Sequence, residues 1–89
     1  MRVIVTVIGK DCVGIIADVC SELARCNVNI LDISQKVMGE YFTMIMIADM
    51  EGSSVDFTEL SEKLTEKGHE KGVDVRLQRE DIFNAMHRI

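Results

Sequence analysis

Four segments of this 89-residue chain have the pattern of β-strands, and they differ in how many of their faces are apolar. Met1–Ile8 and Tyr41–Met50 carry apolar residues at successive positions, which is typical of strands covered on both faces. In Val28–Met38 and Val73–Gln78 apolar and polar residues alternate, which is typical of strands with one wet face. The first two segments are therefore predicted to be central strands of a sheet, and the other two its edges.

A first amphipathic helix is predicted between the first two strands, from Cys12 to about Cys26. Its apolar face repeats at helical spacing through Ile16, Val19, Cys20 and Leu23. Asp11 is a suitable N-cap, since its carboxylate accepts hydrogen bonds from the free N–H groups of a first turn. Asn27 tolerates the left-handed conformation that commonly ends a helix.

A second helix is predicted between the third and fourth strands. Asp56 and Glu59 have the spacing of a capping box at its start. Gly68 either ends this helix or lets it lie close to the sheet, in which case Gly72 ends it. A tight hairpin turn at Gly39–Glu40 joins the two middle strands.

The order β-α-β-β-α-β leaves few arrangements of four strands, and the α+β ferredoxin-like sandwich fits best. At 89 residues the chain has room for one domain, residues 1–89, that ends in a short amphipathic helix over about residues 80–89. Two helices cover one face of the antiparallel sheet, so the other face needs a second cover. We expect it from the tail helix, whose apolar stripe is Ile82, Phe83, Met86 and Ile89, or from a second subunit, and hence a homodimer or larger assembly.

The charge of the chain argues against two classes of partner. Fifteen acidic against ten basic residues give a net charge of −5, the wrong sign for binding nucleic acid or an anionic membrane. The longest apolar run, Val3–Ile8, is far short of the roughly 20 residues of a membrane span, and no signal peptide is visible. Cys12, Cys20 and Cys26 form no C-x-x-C pair and suit a reducing compartment. We therefore expect a cytoplasmic protein with free thiols.

Side chains that carry catalysis or hold metals are scarce. His69 and His87 are far apart in the sequence and are expected to be solvated helix residues. No spacing of histidines, cysteines or carboxylates directs two ligands to one point, so neither a metal nor another cofactor is predicted. Cys12 would gain thiolate character at a helix N-terminus. No base accompanies it, and the simpler interpretation is a small residue tolerated at the first helical position.

The segment Gly9–Gly14, between the first strand and the first helix, is the candidate for a binding site. It places two glycines and the N–H groups of a helix start at the C-terminal end of a central strand, an arrangement suited to a carboxylate or a phosphate. Its spacing matches neither the phosphate loop of nucleotide hydrolases nor the dinucleotide fingerprint. Without further context, a simple turn is the better interpretation.

Two motifs supply that context. Gly9-x-Asp11-x-x-Gly14-Ile15-Ile16 and Asn27-Val28-Asn29-Ile30 resemble the ACT domain, a small-molecule-sensing module whose pattern fits nearly the whole chain. Val13 stands where many family members have proline. The segments 29–35, 40–44 and 82–86 are similar to the stand-alone, single-domain ACT proteins of uncharacterised role and to the glycine-cleavage repressor type.

The resemblance implies a non-enzymatic module that binds an amino acid or similar small ligand at a subunit interface. The first loop and the start of the second strand would form the site. The ligand-binding residues implied by the resemblance are Gly9, Lys10, Asp11, Cys12, Val13, Gly14, Ile15, Asn29 and Ile30. In the family a polar loop residue and an asparagine opening the second strand hold the ligand, and here these are Asp11 and Asn29. Asp11 would either meet the ligand's ammonium group or only cap the helix. The regulatory output would pass through an unknown partner protein, since no enzyme or DNA-binding segment is fused.

Three other functions of the same topology fit less well. A small enzyme such as an acylphosphatase needs an arginine beside its phosphate loop, where Lys10 is the only basic residue. An RNA-binding protein would suit the faint RNP pattern of Gly39–Phe42, but the acidic charge and the lack of aromatic residues in the first strand count against it. A metal chaperone needs M-x-C-x-x-C in the first loop, which has one cysteine.

Overall fold

The computed structural model describes residues 1–10 and 14–86 of the chain. Their elements are β1 (Arg2–Gly9), α1 (Ile15–Arg25), β2 (Asn29–Met38), β3 (Tyr41–Asp49), α2 (Phe57–Lys71), β4 (Asp74–Arg79) and α3 (Glu80–Met86). The predicted βαββαβ order with a short helix after it is confirmed. His87 and Ile89, which the prediction placed in that helix, lie outside the described residues. None of the helices described is long and apolar enough to cross a bilayer.

The four strands form one antiparallel sheet in the order β2-β3-β1-β4. β1 and β3 are therefore central and β2 and β4 are edges, as the two kinds of strand pattern predicted. Along β1, Arg2 is opposite Asp49 and Gly9 is opposite Phe42. We call the corresponding ends of the sheet the Arg2 end and the Gly9 end.

α1 and α2 pack on one face of the sheet and enclose the core. Its largest fully buried side chains come from both helices and from β3, and they are Ile15, Leu23, Met44, Met46, Leu60 and Leu64. Full burial of an apolar side chain of this size contributes about 1.5–3 kcal/mol. The core therefore fixes the positions of β1, β3 and the two helices relative to one another.

The opposite face of the sheet is covered only in part. α3 contacts β1 and β4, and Ile4, which faces away from the core, is only 4% exposed. Ile8 and Ile45 lie on the same face as Ile4 and are exposed. The tail helix thus supplies some of the second cover predicted for this face. An apolar area toward β3 and the Gly9 end remains open to solvent.

The start of α1 differs from the prediction. The helix begins at Ile15, and its N-cap is Gly14, which is left-handed with φ 82° and ψ −17°. A residue with this conformation cannot lie inside a right-handed helix, so the predicted start at Cys12 with Asp11 as N-cap is wrong. Asp11, Cys12 and Val13 themselves lie outside the described residues.

The other helix ends agree with the sequence. Asn27 follows α1 with φ 60°, the left-handed conformation predicted for it. The Asp56 carboxylate accepts a hydrogen bond from the Glu59 N–H at 2.8 Å and caps α2. Gly72, with φ 71°, ends α2. Of the two alternatives for Gly68, close packing on the sheet is therefore the correct one.

β2 is more exposed than its pattern predicts. Its register with β3 shifts at Leu31, and nine of its ten residues are exposed. Ile33 and Val37 are on the face that carries α1 and α2, yet they are 40% and 70% exposed. Only Ile30, at the start of the strand, packs against the core. Beyond Ile30, the apolar row predicted for this edge strand is therefore open to solvent.

Candidate functional site

The predicted ligand residues lie at opposite ends of the sheet. The described ones divide into Gly9, Lys10, Gly14 and Ile15 at the Gly9 end, and Asn29 and Ile30 at the Arg2 end. Asn29 is opposite Asp49, which in turn is opposite Arg2. Between Arg2 and Gly9 the sheet spans roughly 23 Å at ordinary strand spacing. A single chain therefore does not bring the described residues of the first loop and Asn29 together.

The helix start at Gly14 has N–H groups that are not paired within α1. The Asp18 N–H donates to the Gly14 carbonyl oxygen at 3.0 Å, and the N–H groups before it in the first turn have no partner within the helix. No side chain of the described residues caps this end. Ile15 is fully buried, so it can meet a ligand only through its backbone. The N–H groups and the helix dipole together favour an anionic group at this position.

A charged pair lies beside this helix start. Lys71 is the last residue of α2, and its Nζ is 3.7 Å from the Asp18 Oδ2 in the first turn of α1. A Cβ placed on Gly14 would be 3.9 Å from the same Nζ. The ammonium group therefore lies next to the N-cap. Both charged side chains are partly exposed, so a ligand can reach them.

The sequence motifs did not identify Lys71 and Asp18. The two residues are far apart in the chain and belong to neither of the motifs that resemble the ACT domain. A topological signal was nevertheless present. In a ferredoxin-like fold the second helix ends where the first begins, so a basic residue in the last turn of α2 lies near the first turn of α1.

Lys10 points to a different neighbour. Its Nζ is 3.4 Å from the Glu40 Oε1 and 5.5 Å from the centre of the Tyr41 ring. Both partners belong to the hairpin between β2 and β3. Lys10 therefore joins the first loop to this hairpin, and Lys71 is the cation that lies beside the helix start.

The Gly9 end thus holds a positive group, a negative group and free N–H donors around Gly14. An α-amino acid carries a carboxylate and an ammonium group on neighbouring atoms. Lys71 and the N–H groups suit the carboxylate, and Asp18 suits the ammonium group. Ion pairs that are this exposed contribute only about 0–1 kcal/mol each. Tight binding of a ligand therefore needs additional contacts from other surfaces.

Two concave surfaces of the described residues lie away from the helix start at Gly14. A cavity of about 290 Å³ lies between the end of α2 and β4, with His69 and Asp74 in its lining. Another of about 340 Å³ lies between Arg2 and the start of α3. Neither contains a predicted ligand residue. His69 is exposed, as predicted for a solvated residue, and the described residues contain no group of three or more metal-binding side chains.

The end of α1 carries a buried carboxylate with a structural role. Glu22 accepts hydrogen bonds from the Arg25 Nη1 at 3.2 Å and from the Cys26 Sγ at 3.7 Å. Burial, and then the negative charge of Glu22, raises the pKa of the Cys26 thiol above its ordinary value of 9.0. A thiol of this kind is a poor nucleophile at neutral pH. Cys20 and Cys26 are free, as predicted, and Cys12 lies outside the described residues.

Known proteins match this chain over its whole length. The sequence model of the ACT domain matches residues 1–78. A UPF0237 protein of Clostridium acetobutylicum is 55% identical over 89 residues, which is 100% of both chains. An ACT domain protein from Streptococcus pneumoniae superposes with a TM-score of 0.81 at 40% identity, and the match covers 93% of each chain.

Two larger proteins contain the same fold. The regulatory subunit of aspartate kinase from Thermus thermophilus, in its ligand-free form, has a TM-score of 0.65 at 25% identity, over 86% of this chain and 50% of its own. A putative glycine cleavage system transcriptional repressor has a TM-score of 0.74 at 23% identity, over 86% of this chain and 44% of its own. At that identity the repressor shows the fold alone.

Proposed function

This chain belongs to the ACT domain family, and we propose that it is a regulatory module that binds an amino acid between two copies of itself. The observation that carries the proposal is the Lys71–Asp18 pair beside the N-cap Gly14. It presents the two charges that a zwitterionic ligand requires. The family, and the similarity to a protein named as a regulatory subunit, support the regulatory role.

The division of the predicted site between two ends of the sheet supports a shared site. The loop and the helix start lie at the Gly9 end, and Asn29 lies at the Arg2 end. If a second copy is related by a two-fold axis perpendicular to the strands, it presents its Arg2 end to the Gly9 end of the first. Asn29 of one copy and Lys71 of the other would then face the same ligand. The second copy would also supply further contacts around the ligand.

The open surfaces of the sheet support a homo-oligomer. β2 is an edge strand with exposed apolar side chains, and its outer side pairs with no other described strand. Ile8 and Ile45 are exposed on the face away from α1 and α2. A small domain gains stability when such surfaces are covered by a partner. We propose a homodimer as the smallest assembly, with an unidentified protein partner as the recipient of the regulatory signal. The free thiols Cys20 and Cys26 support a cytoplasmic location.

The rival functions gain no support from the site. Lys10, the one cation that an acylphosphatase-like enzyme could use in the first loop, lies against Glu40 and Tyr41. An RNA-binding face needs neighbouring aromatic rings on one side of the sheet. Tyr41 and Phe42 are on opposite faces, and Phe42 packs against the core. We therefore propose that the module is not an enzyme and does not bind RNA.

A thermal-shift screen of the amino acids tests the proposal. A ligand at about a hundredfold excess over its Kd stabilises a protein by about 2.7 kcal/mol, which corresponds to a rise in Tm of roughly 10–20 °C for a domain of this size. Lys71→Gln and Asn29→Ala should each lose most of the shift. Lys67→Gln, one turn earlier on α2, is the matched control and should keep it.

Two results would contradict the proposal. If no amino acid changes the Tm of the wild type, the ligand class is wrong. If an amino acid stabilises the wild type and Lys71→Gln equally, the ligand lies elsewhere on the molecule.

A further inference from the structure

We propose that the protein partner docks on β4, adding an extended segment to the outer edge of this strand and placing a basic side chain beside Glu62 and Glu66 of α2. The inference rests on the proposed function and deepens it, because it names the chemistry of the partner and the surface that receives it. The surface is a groove between α2 and β4, which we call the α2–β4 groove. It is lined by Thr65, His69, Gly72, Val73, Asp74 and Val75.

The backbone of β4 can accept another strand. β4 has six residues, and it pairs with β1 and with no other described strand. Successive residues of an antiparallel strand direct their N–H and C=O groups to opposite sides, so every second residue of β4 faces away from β1. An extended peptide can continue a sheet at such an edge, and its main-chain hydrogen bonds then contribute affinity.

The groove beside this edge has room for a side chain. Its volume is about 290 Å³, near the lower limit of about 300 Å³ for the pockets that hold small molecules. Val73 and Val75 form its buried floor, and the exposed Thr65 and His69 form the wall on α2. Side chains that alternate along an added strand would point to the same face as these two valines. The groove therefore suits an apolar side chain of the added segment.

The wall on α2 is acidic. Glu62 and Glu66 each lie three residues before a lining residue of that wall, Thr65 or His69, so they are its neighbours on the helix surface. Both glutamates are exposed, and neither forms an ion pair with another described residue. The negative charge beside the groove favours a segment that carries lysine or arginine. The net charge of −5 on the whole chain acts in the same direction.

The same charges argue against a second copy of this chain at the β4 edge. Two copies that paired their β4 strands about a two-fold axis would set their α2 helices side by side, with the acidic walls facing each other. Like charges across an interface are destabilising. The charges of β4 itself do not compensate, since the Arg76 Nε already donates to the Asp74 Oδ2 at 3.0 Å. The occupant is therefore a basic segment of a different protein.

The groove adjoins the helix turn that holds the proposed amino-acid site. Lys71, whose Nζ is 3.7 Å from the Asp18 Oδ2, stands between His69 and Gly72 in the chain. The partner and the amino acid would therefore contact the same turn of α2. This places the recipient of the regulatory signal next to the ligand.

Peptide binding tests the chemistry of the partner. The probe is a fluorescent octapeptide of alternating lysine and valine, and its Kd is measured by anisotropy at physiological salt. The same peptide with glutamate in place of lysine is the control and should not bind. A lysine–valine peptide that fails to bind at about 1 mM would overturn the inference.

Methylated peptides test the strand pairing. Two versions of the probe carry N-methyl groups, one on all lysines and the other on all valines. Only one of these two sets of N–H groups can face β4, so one version should lose binding and the other should keep it. If both versions bind as the parent peptide does, the segment does not pair with a strand.

Charge reversal on α2 tests the location. Glu62→Lys and Glu66→Lys should each raise the Kd of the lysine–valine peptide about fivefold or more, because each turns an attraction into a repulsion. Glu51→Lys makes the same change of charge in the loop after β3, which β1 separates from β4. This control should change the Kd by less than about twofold, since distant exposed charges are screened. The same Kd in all three variants would mean that only the net charge attracts the peptide, and the groove would be overturned.

Amide hydrogen exchange identifies the edge that is occupied. The peptide should slow exchange along β4 and leave exchange along β2 unchanged. Slower exchange along β2 alone would overturn the docking site. Exchange along β4 that slows with protein concentration, in the absence of peptide, would show a second copy at this edge and overturn the assignment of the partner.

The outcomes separate this inference from the proposed function. A rise in Tm with an amino acid, without binding of the lysine–valine peptide, would overturn the docking site and leave the proposed ligand. Peptide binding with the expected losses, without any effect of an amino acid on Tm, would leave the docking site and overturn the proposed ligand.

Discussion

Gly14 is the residue that decides where α1 begins. Its φ of 82° lies in the left-handed region, and among the described residues a Cβ at this position would meet only the Lys71 Nζ, at an ordinary contact distance of 3.9 Å. The requirement for glycine is therefore conformational and not one of space. Asp11 looked like a good N-cap from its residue type, but residue type alone does not reveal that a left-handed residue intervenes before the helix.

We expect Gly14→Ala to destabilise the fold by about 1–2 kcal/mol, the cost of a left-handed L-residue. Gly14→Asn should cost less, since asparagine tolerates this conformation. Urea unfolding of the three proteins makes the comparison. Equal stability of the wild type and Gly14→Ala would show that this residue is not left-handed in solution. Larger residues at Gly14 would strain the helix start itself, so Lys71 and Asn29 give the cleaner tests of ligand binding.

The thiol of Cys26 makes stability depend on pH in the alkaline range. Its pKa is raised in the folded state, by burial first and by Glu22 second. The thiolate is therefore favoured in the unfolded chain, and the stabilising effect is complete below the ordinary pKa of 9.0 and is lost as the pH rises above it. We expect the free energy of unfolding to fall more steeply above about pH 9 in the wild type than in Cys26→Ala. Cys20→Ala is the control and should keep the wild-type slope; equal slopes in all three proteins would contradict the assignment.

At the scale of elements, the sequence predicts whether each segment is a helix or a strand. It does not predict how much of that element is buried by a neighbouring element. The alternation in Val28–Met38 gives an edge strand with an apolar row, and β2 is that strand. Whether a helix covers this apolar row depends on the angle at which α1 crosses the sheet. The sequence pattern of a single strand carries no information on that angle. The N-cap of α2 at Asp56 is purely local, and this half of the predicted capping box is confirmed to the residue.

The contact between α2 and β4 depends on Gly68. A Cβ there would lie 2.7 Å from the Val75 Cγ2 and 2.8 Å from the Val73 carbonyl oxygen. Alanine is the better helix former by about 1 kcal/mol, but the overlap with β4 should outweigh this. We expect Gly68→Ala to lower stability by about 1–3 kcal/mol. Thr65→Ala, at an exposed position of the same helix, should change it by less than about 0.5 kcal/mol. A Gly68→Ala protein as stable as the wild type would mean that α2 stands further from β4.

For the whole molecule, the fold was more predictable than the site. Four strands with distinct patterns and two helices admit few topologies, so the ferredoxin-like sheet and its strand order follow from the sequence. The site depends on which residues the register places at the same end of the sheet. Asn29 is distant from Gly14 for that reason, and Lys71 is close to it although the two are far apart in the chain.

The central claim is that each ligand site takes the helix start and Lys71 from one copy and Asn29 from another. The direct measurement is amino-acid binding, by calorimetry, to Lys71→Gln and Asn29→Ala separately and then to their equimolar mixture. Each variant alone should bind little, because every site in it lacks one group. In mixed dimers one of the two sites combines the intact Lys71 of one chain with the intact Asn29 of the other, so random exchange should restore about a quarter of the wild-type sites. A mixture that binds no more than the separate variants, under conditions where the wild type binds and the subunits exchange, would contradict the claim.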